Sequence, residues 1–137
     1  MKSSINMAVI GLGQRGYSLM KNILLAQPDV EVIGVCDTYQ DRVDQAVEKV
    51  KEIKGNTPLG TSDYKEIFTL SNLDAVLVAT AWEFHNEITI YSLRKGIPVA
   101  MEVGGAYCEQ ELWELVRAYE ETKTPLMFME NCCYDRC

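Results

Sequence analysis

Met7-Ala-Val-Ile-Gly-Leu-Gly-Gln-Arg-Gly16 is the stretch that decides the fold. Met7 to Ile10 is a short apolar run that reads as a buried strand, and it meets Gly11-x-Gly13-x-x-Gly16 with nothing between. Tyr17, Met20, Ile23 and Leu24 then recur at helical spacing until Pro28-Asp29 breaks the segment. Each glycine has a mechanical job in such a strand-turn-helix. Gly11 permits the tight turn, Gly13 lets backbone approach a pyrophosphate, and Gly16 allows the helix to pack closely on the strand. The unpaired N–H groups of the first helical turn favour negative charge. Gln14 and Arg15 lie inside the loop and join the three glycines as candidate cofactor contacts. A tight turn without a ligand is the competing reading.

The next strand, Val30–Cys36, runs into Asp37. An acid there accepts hydrogen bonds from adenosine ribose hydroxyls and repels the extra phosphate of NADP. The expected cofactor is therefore NAD. Asp37 has a second reading, as a cap for the helix after it. Arg15 complicates the choice, because it can pair with a phosphate or lie over an adenine face. Arg42, a second nearby cation, is expected on a solvated helix face.

The same alternation continues along the chain. Residues 41–54 carry Val43, Ala46, Val47 and Val50 on one helical face, and Gly55-Asn56-Thr57-Pro58 stops them. A short strand from Leu59 and a brief helix through Phe68, capped from Thr61-Ser62-Asp63, come next. A strand at 73–79, a helix at 84–95 closed by Gly96, a strand at 97–101, a helix at 109–122 and a strand at 125–129 complete the pattern. Parallel strands need crossover helices, and near-continuous apolar strands are buried on both faces. The expected fold is α/β: a Rossmann-type doubly wound parallel sheet of about six strands with helices on both faces. Residues 1–130 form the dinucleotide-binding domain. Residues 131–137 read as the start of a connection to a substrate domain absent from this chain.

Composition narrows the function classes. Thirteen basic residues against twenty acidic ones leave a net charge of −7, with no concentrated basic face for nucleic acid or an anionic membrane. No apolar stretch is long enough to span a bilayer, and no secretory signal opens the chain, so a cytoplasmic protein is expected. Cys36, Cys108, Cys132, Cys133 and Cys137 contain no C-x-x-C pair, and His85 is the single histidine. No metal site is expected, and the cysteines read as reduced thiols.

In doubly wound sheets ligands lie beyond the carboxyl ends of the strands. That rule adds Thr80-Ala-Trp-Glu-Phe-His85, Glu102-Val-Gly-Gly105 and Glu130-Asn131 to the candidates. Together with the glycine loop and Asp37, these stretches resemble the glucose–fructose oxidoreductase, inositol dehydrogenase and MocA family, across essentially the whole chain as its N-terminal cofactor domain. The family's usual Glu-Lys-Pro after the fifth strand is Glu102-Val103-Gly104 here, so the lysine is absent. Trp82-Glu-Phe-His85, Glu102-Val103, Glu111-Leu-Trp-Glu-Leu-Val116 and Met129-Glu-Asn-Cys-Cys-Tyr134 are similar to a branch containing NAD-dependent N-acetylgalactosaminidases. That branch commonly shows Trp-Glu-Trp-His and Glu-Val-Pro, from which Phe84 and Gly104 depart.

The resemblance implies cofactor contacts from Arg15, Gly16, Asp37, Trp82, Glu83, Phe84, His85, Glu102, Val103 and Asn131, with Thr80 at the strand end beside them. His85, Glu102 and Tyr134 are the near-site candidates for chemistry, while the principal acid or base is expected outside this chain. Bland alternatives stand beside them: His85 as a helix cap, Trp82 as a packing aromatic, Glu102 as a loop anchor, Tyr134 as core against another domain. The resemblance implies two activities for the whole protein. One is NAD-dependent oxidation of a sugar, polyol or related hydroxy compound. The other is glycoside cleavage by transient oxidation, elimination and re-reduction, which needs no paired carboxylates. A non-catalytic NAD-binding or sensor domain is a third reading. A small-molecule substrate is the expected partner, and family members often associate as homo-oligomers.

Overall fold

The computed structural model describes residues 4–131. The strands are β1 (Ile5–Ile10), β2 (Val30–Cys36), β3 (Leu59–Thr61), β4 (Ala75–Val78), β5 (Val99–Met101) and β6 (Leu126–Phe128). The helices are α1 (Gln14–Leu19), α2 (Gln40–Lys54), α3 (Tyr64–Ile67), α4 (Trp82–Arg94) and α5 (Glu109–Thr122). All six strands pair in parallel, in the order β3-β2-β1-β4-β5-β6. The order reverses at β1, so the crevice beside that strand's carboxyl end is the place where such a sheet binds ligands.

Alternation along the central strands divides the core in two. Ala8 and Ile10 of β1, with Val76 and Val78 of β4, face a cluster holding Ile67, Ile88, Leu93, Leu115 and Ala118 from α3, α4 and α5. Val9 and Leu77 face the opposite cluster, with Met20, Leu24, Val43, Ala46 and Val50. Successive side chains on a strand point to opposite faces, so two helical layers are needed to cover this sheet.

Helix α1 is shorter than the spacing from Tyr17 to Leu24 suggests. Met20–Leu24 continues it as a π-helical turn, with the Leu25 N–H donating to the Met20 carbonyl at 2.9 Å. The wider turn rotates the residues it carries relative to an α-helical path. Met20 and Leu24 are buried, whereas Ile23 is 53% exposed and leaves the apolar face its spacing assigned to it. Asp63 does cap α3, accepting from the Lys65 N–H at 2.9 Å.

Candidate functional site

A crevice of about 440 Å³ opens over the carboxyl ends of β1, β2 and β4. Its floor is the glycine loop. Gly11 takes φ +96°, and a Cβ there would meet the Ala79–Thr80 backbone at 2.5 Å. At Gly16 the crowding is greater, since a Cβ would lie 1.9 Å from the Gly11 carbonyl oxygen. Gly13 is different. A Cβ on Gly13 would meet only the Arg42 guanidinium, at 3.9 Å, so this backbone faces open space in the crevice. Gly13 also caps α1 without a side-chain acceptor, which leaves first-turn N–H groups for an incoming anion. Two glycines are thus required by packing, and the third leaves room that a pyrophosphate can use.

Asp37 joins this loop to β2. Its Oδ2 accepts from the Leu12 N–H at 2.7 Å and its Oδ1 from the Tyr39 N–H at 3.0 Å. The second bond is a local turn; α2 itself begins after Tyr39, with no side-chain cap. The helix-cap reading of Asp37 therefore gives way to a link between strand end and glycine loop. An ionised carboxylate has about four lone-pair sites, so acceptor capacity remains on the crevice side for ribose hydroxyls. Both features fit NAD: an open main-chain cradle, and an acid at the end of β2.

Arg42 is not a bystander on a solvated helix face. Its Nη1 lies 3.6 Å from Asp37 Oδ2, and its guanidinium sits 4.5 Å above the centroid of the Tyr39 ring. Asp37 and Tyr39 draw it over the crevice, an arrangement that depends on how α2 rotates against β2. Arg15 also behaves differently from a lone phosphate ligand. Its Nε donates to Glu102 Oε1 at 2.7 Å, which ties the glycine loop to the end of β5. Glu102 Oε2 accepts from the N–H of Val103 at 3.3 Å, so this carboxylate anchors its own loop as well.

The turn after β4 divides its residues between wall and interior. Thr80 and Phe84 line the crevice, whereas His85 does not and is buried. His85 Nε2 lies 2.9 Å from the Thr80 carbonyl; a carbonyl only accepts, so Nε2 carries the proton and donates. Nδ1 is then a buried acceptor without a hydrogen-bond partner among the described residues, although the Glu102 main chain lies nearby. Burial pushes the imidazole below its ordinary value of 6.5, against the opposing pull of the Thr80 carbonyl and Glu102. The ring braces the crevice wall from behind.

Trp82 stands on the loop after β5. Gly104 has φ +111°, and a Cβ on it would lie 2.5 Å from Trp82 Cε2 and Nε1. Proline, fixed near φ −65°, cannot occupy that backbone. The departure from the Glu-Lys-Pro and Glu-Val-Pro patterns is thus matched to a different loop, over which the indole packs. Glu83 accepts from the Tyr107 hydroxyl at 3.4 Å. Asn131 is exposed beyond β6, and Tyr134 falls outside the described residues.

The structure adds crevice residues that the strand-end rule passed over: Tyr39, Ser62, Tyr64, Glu87 and Ile88. Ser62 had a signal, since it comes directly after β3. Phe84, Glu87 and Ile88 share a helical face by their i, i+3, i+4 spacing, but that face could not be aimed without the sheet. Cys36 lies at the base of the crevice, where burial and then the Asp37 charge push its thiol up to about 12. Among the described residues, no group of three His, Cys, Asp or Glu could hold a metal, and no helix is long and apolar enough to cross a membrane.

Comparison with known proteins agrees with this geometry. Residues 5–129 match the family GFO_IDH_MocA, described as "Oxidoreductase family, NAD-binding Rossmann fold". A "Glycosyl hydrolase family 109 protein" of Streptomyces niveus is 35% identical over 98% of this chain and 28% of its own length. An "Alpha-N-acetylgalactosaminidase" of Bacteroides fragilis is 31% identical over 96% of this chain and 31% of its own. The chain thus spans less than a third of the curated relatives it matches. The crystal structure of myo-inositol 2-dehydrogenase from Lactobacillus plantarum superposes with a TM-score of 0.81 at 21% identity, covering 91% of this chain and 36% of that one. A match that begins with β1 and ends just past β6 takes in the whole sheet, and the chain belongs to the GFO_IDH_MocA oxidoreductase family with its NAD-binding Rossmann fold.

Proposed function

We propose that this chain is the cofactor domain of an NAD-dependent oxidoreductase acting on a sugar, polyol or related hydroxy compound. The single observation carrying the reading is the pairing of an open Gly13 backbone with Asp37, tied to the same loop through Leu12. In this reading Gly13, Gln14 and Arg15 hold the pyrophosphate and Asp37 holds the adenosine ribose, while Gly11 gives its N–H to the Cys36 carbonyl and shapes the turn. NAD, when bound, supplies the hydride-accepting chemistry. The protein's share is to orient it: Glu102 fixes Arg15, His85 fixes the Thr80 carbonyl, and Trp82 shields the loop at Gly104. The chain spans less than a third of its relatives' length, and in this reading a further domain of the whole protein holds the substrate and supplies the principal acid or base. A cytoplasmic setting is part of this reading.

A second reading is a glycosidase that recycles its NAD. The absence of lysine from Glu102-Val103-Gly104 favours it, as do relatives named as glycosyl hydrolases. Incubating the whole protein with NAD, a sugar panel and aryl glycosides separates the two. NADH accumulating in proportion to substrate supports the oxidoreductase. Release of the aryl group with no net NADH assigns the glycosidase, and turnover of nothing leaves an NAD-binding or sensor role.

A further inference from the structure

The crevice has an end that the pyrophosphate and ribose contacts leave unexplained. Ser62 and Tyr64, after β3, and Glu87, on α4, line it together with Phe84 and Ile88. The Tyr64 hydroxyl donates to Glu87 Oε1 at 2.6 Å, bridging α3 and α4. Tyr64 is itself held by edge-on contacts with Phe68 and Tyr91, with ring centroids 6.5 and 5.7 Å away. One carboxylate oxygen is therefore fixed by a braced donor. The other keeps its acceptor capacity on an exposed side chain, and Phe84 and Ile88 of the same helix line the crevice with it.

An ionised carboxylate only accepts hydrogen bonds. Of the ring substituents on the bases of a dinucleotide, the exocyclic amine of adenine is the donor at the adenosine end. We propose that Glu87 reads the cofactor's base: its carboxylate accepts a hydrogen bond from the adenine amine, so that the site selects adenine over purines carrying an oxygen at that position. The inference rests on the NAD reading of the crevice and adds base selectivity to it. The carbonyl oxygen of hypoxanthine in the amine's place would face the carboxylate as a second acceptor, and that repulsion supplies the discrimination.

The test compares NAD with nicotinamide hypoxanthine dinucleotide, titrated calorimetrically into the wild-type chain and Glu87→Gln. Wild type should bind NAD about tenfold tighter, the scale of one hydrogen bond to a charged group. In Glu87→Gln the amide can donate to the carbonyl oxygen, so the ratio should fall to within about twofold. A purely structural Tyr64–Glu87 clip would weaken both dinucleotides alike and leave the ratio unmoved. Equal binding of the two by wild type, or a ratio unchanged by Glu87→Gln, overturns the proposal while leaving NAD binding intact. Failure of wild type to bind either dinucleotide overturns the NAD reading and this inference with it.

Discussion

Gly104→Ala sets a backbone requirement against a ring that is able to move. At φ +111° an alanine occupies a region that side chains rarely adopt, at a cost of about 2 kcal/mol. Its Cβ would also arrive 2.5 Å from two atoms of the Trp82 indole and 2.7 Å from a third. Trp82 is 55% exposed, so the ring can swing outward, and the clash adds little to the backbone term. For a chain of this size the melting temperature should fall by roughly 5–10 °C. Trp113 is the other tryptophan, so a Trp113→Phe background makes the emission report on Trp82 alone. There Gly104→Ala should shift that emission to the red and raise its quenching by acrylamide. Grafting the family's Lys-Pro onto positions 103 and 104 should cost more than the alanine, because proline cannot take a positive φ. Unchanged melting and unchanged emission in Gly104→Ala would refute the packing of Trp82 on this loop.

The same geometry sets three further outcomes. Glu102→Gln removes an ion pair whose Arg15 side chain is 52% exposed, so denaturant titration should register a loss below about 1 kcal/mol. NAD affinity should nevertheless fall severalfold, because Arg15 loses its anchor. His85, held below its ordinary 6.5, binds fewer protons folded than unfolded, so stability is complete above that value and declines as pH falls through it. His85→Gln should flatten that decline below about pH 6.5; an unaltered slope would assign it to other groups. Cys36, with its thiol near 12, should resist alkylation at about pH 8 in the native chain while exposed Cys108 reacts, as peptide mapping by mass spectrometry would read.

The sheet was legible because it rests on local signals. Apolar runs at β1, β2 and β4, glycines where packing leaves no room, and a carboxylate at the end of β2 can each be read from neighbouring residues. The features that escaped depend on rotation and distance. Ile23 lies outside the core because a π-turn shifts the helix that carries it. Arg42 faces the crevice because Asp37 and Tyr39 draw it there. His85 comes after a strand end as a ligand residue would, yet its ring turns inward to the Thr80 carbonyl. Tyr64 and Glu87 meet only because α3 and α4 share one face of the sheet, which no local spacing encodes.

Binding of NAD in this crevice, with its ribose on Asp37, is the central claim, and competing charges make it testable. Asp37 repels a ribose phosphate, while Arg42, 3.6 Å away, would attract one. The carboxylate is 7% exposed and held at the glycine loop by the Leu12 N–H, whereas the guanidinium side chain is 43% exposed and its charge is more screened by solvent. Calorimetric titration of NAD and NADP into the wild-type chain and Asp37→Ser measures which charge prevails. Wild type should bind NAD at least about tenfold tighter than NADP, with the preference shrinking or reversing in Asp37→Ser. Wild-type binding of NADP as tight as NAD, or tighter, would contradict the claim.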